Sequence, residues 1–154
     1  MSVDVGSKAP DFTLMDQDRA PVTLSAQHGY PVVLAFFPAA FSGVCTKELC
    51  MFRDQIGTLR DANARVFGIS VDTFFALKAF QDSQNLSFPL LSDFNKTTIR
   101  AYGVVNPDMV GLHDISKRAV FVLDREGVVR HREVLDDARN EPDYSKVFAV
   151  AASL

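Results

Sequence analysis

The chain contains no tryptophan, only two cysteines and three histidines, and no apolar run approaching the ~18 residues of a membrane span. Two cysteines are too few for a disulfide scaffold. No basic block exceeds two residues, and with a formal net charge of −3 this argues against a nucleic-acid partner. Neither a Walker loop nor a Gly-x-Gly-x-x-Gly is present, so no phosphate-cradling nucleotide site is read. Met1 to Lys8 carries neither a charged n-region nor an apolar h-region. The expectation is a soluble cytoplasmic protein with no membrane partner, whose cysteines start reduced. Internal repeats, low-complexity tracts and linkers are also missing.

What is present suits a single α/β domain spanning residues 1–154. An apolar share of 47% and a charged share of 23% lie in the globular range, and the length allows one real core. Phe12-Thr13-Leu14 and Val22-Thr23-Leu24 flank a polar stretch and read as an N-terminal hairpin. Val32 to Phe37 reads as a buried strand, and Ser42 offers an N-cap for a helix running to about Asn63. Arg65 to Val71 is the next strand, followed by a helix over about 73–84. Phe88 to Leu91 is extended, and Asn95 to Tyr102 forms a short helix stopped by Gly103. Ala119 to Leu123 and Val128 to Val134 form a second hairpin around Asp124-Arg125-Glu126-Gly127, with glycine placed for positive φ. A closing helix runs from Glu141-Pro142 to about Ala152. This order suits a central mixed β-sheet flanked by helices, and a cysteine placed where the first core strand hands over to a helix singles out the thioredoxin-like arrangement, with an N-terminal hairpin extension.

The chemistry concentrates in Pro38-Ala39-Ala40-Phe41-Ser42-Gly43-Val44-Cys45-Thr46-Lys47-Glu48-Leu49-Cys50. With Ser42 as N-cap, Cys45 is the third helical residue, where the unpaired N–H groups of the first turn favour a thiolate. At about 100° per residue, Cys45, Leu49, Phe52, Ile56 and Leu59 share one stripe, whereas Cys50 lies roughly 140° away with Asp54, Gly57 and Asp61. Apolar packing therefore explains Cys45 and leaves Cys50 unexplained. A rise of about 7.5 Å over five residues places the two Cα atoms roughly 8–9 Å apart, beyond the ~7 Å reach of a disulfide. A Cys45–Cys50 bond requires the first helical turns to unravel.

Pro38-x3-Ser42-x2-Cys45 resembles the Pro-x3-Thr/Ser-x2-Cys signature of the peroxiredoxins. Ala9-Pro10-Asp11-Phe12-Thr13-Leu14 is similar to that family's N-terminal hairpin, and Phe88 to Asp93 to its mid-chain segment. Arg118-Ala119-Val120-Phe121-Val122-Leu123-Asp124 is similar to the strand carrying its active-site arginine. Cys-x4-Cys spacing resembles the PrxQ (bacterioferritin comigratory protein) branch, while Phe36-Phe37-Pro38 and residues 88–93 lean towards the AhpE-like branch. The resemblance implies a thioredoxin-dependent peroxidase acting on hydrogen peroxide and organic hydroperoxides. Cys45 would be the peroxidatic nucleophile, Ser42 the peroxide's hydrogen-bond partner, and Arg118 the stabiliser of thiolate and developing charge. Pro38 would shield the sulfenic acid, and Cys50 would resolve it as an intramolecular disulfide. The implied partners are a hydroperoxide and thioredoxin or another thiol reductant. The implied assembly is a monomer or homodimer, and no metal, flavin or nucleotide cofactor is required.

Other readings of the same residues stand beside this one. Cys50 can be incidental, with resolution by an external thiol in a one-cysteine mechanism. A thiol–disulfide oxidoreductase would want Cys-x-x-Cys, whose separation of about 5 Å permits direct bridging. A non-enzymatic redox sensor would show no turnover. Arg118 follows Lys117 at a strand start, where a solvated arginine is the default, and Ser42 can be only an N-cap. Glu48 is close enough in sequence to tune the site. Phe36, Phe37, Phe41 and Phe52 read as core and interface residues, and Asn106 to Leu112 as a loop available to an interface. His28, His113 and His131 read as surface or turn residues.

Overall fold

Alternation along the first buried strand organises the molecule, whose computed structural model describes residues 3–154. In β3 (Val32–Phe36), Val33 and Ala35 point to one face of the sheet and Val32, Leu34 and Phe36 to the other. Both faces are apolar because both are covered. The first packs Leu49, Phe52, Leu77, Phe80 and Val147, and the second packs Ile99, Tyr102 and Phe121.

β3 lies near the middle of a seven-stranded sheet of order β2-β1-β5-β4-β3-β8-β9. Its neighbours are β4 (Arg65–Ser70), parallel, and β8 (Arg118–Leu123), antiparallel. β5 (Leu90–Ser92) continues the parallel half, and β9 (Val129–Leu135) closes the antiparallel edge. β1 (Thr13–Asp16) and β2 (Pro21–Thr23) form the N-terminal hairpin, with β1 antiparallel to β5. Gly127 ends the β8–β9 turn at φ +83°, the conformation glycine adopts freely. The mixed sheet with helices on both faces is the architecture the element order predicts.

The helices are α1 (Gly43–Asp54), α2 (Ile56–Asp61), α3 (Phe74–Gln84), α4 (Thr97–Ala101) and α5 (Tyr144–Ala152). The single helix expected from Ser42 to about Asn63 is therefore two, interrupted at Gln55. Apolar periodicity continues through the interruption, since Phe52 and Leu59 both reach the core, and periodicity alone does not register it. Thr73 caps α3 by accepting from the Ala76 N–H, and Asp143 caps α5 by accepting from Lys146.

The segment read as a loop over residues 106–112 is instead a two-stranded ribbon, β6 (Val105–Met109) and β7 (Leu112–Ser116). Its connection is Val110-Gly111, both at positive φ. Valine is a poor residue for that turn, and Pro107 lies within β6, so the usual hairpin signals are missing. His131 also departs from expectation: it is buried on β9, with Nε2 3.7 Å from Glu133. No helix among the described residues is long and apolar enough to cross a membrane.

Candidate active site

β3 delivers the chain to Pro38, which is buried, and a short loop then turns into α1. Ser42 holds the N-cap position with extended backbone, yet its hydroxyl makes no capping hydrogen bond. The hydroxyl is left for another partner. Cys45 falls at the third helical position and is fully buried on the stripe shared with Leu49, Phe52 and Leu59. The two cysteines are not bonded to each other.

Arg118 opens β8 beneath this turn and is only 1% exposed, contrary to the default for an arginine at a strand start. Four hydrogen bonds leave its fork. Nη2 donates to Cys45 Sγ at 3.1 Å, and Nη1 donates to Glu48 Oε1 at 2.8 Å. Nε and Nη2 both donate to the Ala138 carbonyl, at 3.2 and 3.0 Å. Only a planar guanidinium serves three acceptors in these directions at once. Burial alone pulls the guanidinium down, but Glu48 and the Cys45 sulfur outweigh it and hold the group above its ordinary value.

Glu48 is the residue that sequence reasoning undervalued. It is completely buried, and burial pushes its carboxyl from 4.5 up to about 8, against the opposing pull of Arg118. Oε2 has no hydrogen-bond partner. The signal was available: positions 45, 48, 49 and 52 share one helical face, and a carboxylate on an otherwise apolar stripe demands a partner. Asp72, beyond the carboxyl end of β4, is a second undervalued residue, bonded through its carboxylate to the Ala40 N–H at 2.8 Å.

Cys50 is half-buried on another side of α1, where its thiol donates to Gln84 Oε1 at 3.6 Å. Arg53, one turn further on, donates to the Gln84 carbonyl at 2.7 Å. The structure thus brings Pro38, Ser42, Cys45 and Arg118 into one neighbourhood and leaves Cys50 docked against α3. Among the described residues no histidine takes part, and Arg118 donates to the Cys45 sulfur.

A cavity of about 690 Å³ opens over this neighbourhood, with Pro38, Ser42, Val44 and Arg118 on one side and Asp108 and Met109 of the β6–β7 ribbon on the other. Among the described residues no cluster of metal-ligating side chains occurs.

A thioredoxin-like sheet carrying a cysteine in the first turn of a helix, bonded to a buried arginine, defines a thiol-chemistry protein of the peroxiredoxin class. More particularly, residues 5–132 match the AhpC/TSA family, and the chain belongs to that family. It is 43% identical over 129 residues to "Peroxiredoxin Q, chloroplastic" of Triticum aestivum, covering 84% of this chain and 58% of the wheat protein's length. It is 39% identical over 135 residues to "Alkyl hydroperoxide reductase E" of Mycobacterium bovis, covering 86% of each. The fold is similar to that of the Mycobacterium tuberculosis peroxidoxin BcpB, at TM-score 0.85 and 31% identity, covering 99% and 98% of the two chains.

Proposed function

We propose that this protein is a thiol-dependent peroxidase that reduces hydrogen peroxide and organic hydroperoxides, acting as a single catalytic domain through Cys45. The observation that carries the reading is the 3.1 Å hydrogen bond from Arg118 Nη2 to the Cys45 sulfur. A positive donor at the sulfur stabilises negative charge there, and a thiolate is the nucleophile in peroxide reduction.

The thiolate attacks the terminal peroxide oxygen, forming an S–O bond as the O–O bond breaks. Cys45 becomes a sulfenic acid, oxidised by two electrons, and the leaving oxygen takes a proton to become water or an alcohol. Arg118 stabilises the charge that moves from sulfur to the leaving oxygen. Ser42, whose hydroxyl has no capping bond, holds the peroxide. Pro38 shields the sulfur from water.

Cys50 then condenses with the sulfenic acid: an S–S bond forms, the S–O bond breaks, and the Cys50 proton leaves with the hydroxyl as water. The step requires Cys50 to leave Gln84 and the turns of α1 around Cys45 to unwind. An external dithiol of the thioredoxin type returns both cysteines to thiols. The similarity to a peroxiredoxin Q and to an alkyl hydroperoxide reductase E supports this chemistry.

One equivalent of hydrogen peroxide added to the reduced protein, followed by intact and peptide mass measurement, tests the reading. The expected result is a two-hydrogen loss mapping to Cys45–Cys50, and a sulfenic acid trapped in Cys50→Ser. Persistent peroxide with Cys45 still a thiol ends the peroxidase reading. A stable sulfenic acid in the unsubstituted protein assigns resolution to an external thiol.

A further inference from the structure

Between Pro38 and Ser42 the chain adopts an unfavourable conformation. Phe41 has φ +68°, a left-handed geometry that a residue with a Cβ adopts only when its surroundings impose it. On its C-terminal side, Ser42 begins α1, accepting the Thr46 N–H through its carbonyl at 2.9 Å. On its N-terminal side, the Ala40 N–H donates to Asp72 Oδ2 at 2.8 Å, across 32 residues of sequence.

Asp72 is itself held from several directions. The buried Ser70 hydroxyl donates to the same carboxylate oxygen at 2.7 Å, and the Asp72 N–H donates back to Ser70 Oγ at 3.2 Å. The Ser92 hydroxyl donates to the Asp72 carbonyl at 2.6 Å, tying it to β5. The Asp93 N–H in turn bonds the Ser70 carbonyl at 2.7 Å. The carboxylate is therefore a fixed point built on the carboxyl ends of two parallel strands. Its free reach goes to one backbone amide, two residues before Ser42. The Phe41 ring adds a second hold, meeting Phe80 at 5.0 Å between centroids.

We propose that Asp72 is a positioning residue for peroxide reduction: its bond to the Ala40 amide fixes the strained turn that sets the Ser42 hydroxyl relative to Cys45 and Arg118. The inference rests on the reading of Cys45 as peroxidatic. Two features of the site depend differently on this anchor. The Arg118–Cys45 contact comes from β8 and α1 and does not involve the turn. The Ser42 hydroxyl stands at the end of the turn and moves with it. Loss of the anchor should therefore impair recognition of a peroxide, which needs Ser42 and Arg118 in register, more than the nucleophilicity of the sulfur.

The experiment compares two reactions of Cys45 in Asp72→Ala and Asp72→Asn. Second-order reduction of hydrogen peroxide reads the full site. Alkylation by iodoacetamide, followed at Cys45 by peptide mass, reads the sulfur without Ser42. The expected result for Asp72→Ala is an about ten- to hundred-fold slower peroxide reaction, the scale of a misplacement near 1 Å. Its alkylation stays within about two-fold of the unsubstituted protein, because the thiolate is stabilised by donors that the turn does not supply. Asp72→Asn keeps an oxygen for the Ala40 amide and should stay within about three-fold in both reactions, since the hydrogen bond is retained. Should Asp72→Ala not fold, Asp72→Glu, which displaces the acceptor by one methylene, carries the same expected split.

Equal losses in both reactions, or an unchanged peroxide rate in Asp72→Ala, overturn the proposal. So does Asp72→Asn failing as badly as Asp72→Ala, because charge rather than anchoring would then matter. An unsubstituted protein that leaves hydrogen peroxide unreduced, with Cys45 still a thiol, removes the peroxidase reading and this proposal together. Peroxide reduction at the unsubstituted rate in every variant removes this proposal alone.

Discussion

Arg118 carries more of the site than any other side chain, because one guanidinium addresses the Cys45 sulfur, a buried carboxyl and a loop carbonyl. Lysine keeps the charge but not the fork. Arg118→Lys should slow peroxide reduction by about 10²-fold or more, the scale seen when a preorganised donor is removed, while leaving the fold intact by circular dichroism. A competition assay against a fast peroxidase of known rate measures it. Glu48 makes a separate prediction about pH. Its carboxyl has a folded-state value near 8, raised from 4.5 by burial, so the folded protein holds a proton there that the unfolded chain gives up. The stability this group contributes is full below about pH 4.5 and declines as pH rises towards about 8. Urea unfolding at several pH values should show that decline, and Glu48→Gln should flatten it. Cys45 was legible at this scale because a helical stripe and a spacing signature converge on it. Glu48 was half-legible, a charge on an apolar stripe whose partner lies 70 residues away in sequence. Ala138 was invisible, since it contributes only a carbonyl that every residue possesses.

Among the elements, α1 is the one that the proposed Cys45–Cys50 resolution must break. The interruption at Gln55 separates it from α2, so opening α1 need not propagate. α2 is held on its own by Leu59 in the core and by packing against α5. Hydrogen exchange should therefore show lost protection over residues 43–50 on oxidation by one equivalent of peroxide, with α2 unchanged. Loss extending through residues 56–61 would mean that the two helices open as one unit. The strands and the main helices were readable because hydrophobic runs and alternation are strong local signals. The helix break and the β6–β7 ribbon were not. The ribbon pairs only with itself, turns through a valine at positive φ, and places Met109 on the rim of the cavity by tertiary position alone.

For the molecule as a whole, the sheet assembles a site from segments far apart in the chain. β3 and α1 bring Cys45, the proposed nucleophile, β8 brings Arg118, and the segment just past β4 brings Asp72, whose carboxylate holds the Ala40 amide. Thioredoxin-like architecture was inferable from element order together with the cysteine at the strand–helix junction, but the meeting of residues 45, 48, 72, 118 and 138 depends on strand order, which element order alone does not specify. The pair of bonds from Arg118 to the Ala138 carbonyl has a practical consequence for protein engineering. An alanine or conservative scan through residues 136–140 would leave that oxygen where it is and would pass over the contact unnoticed. Adding or deleting one residue between β9 and α5 would shift it. The length of that connection, more than its composition, is the design variable that keeps the arginine aimed.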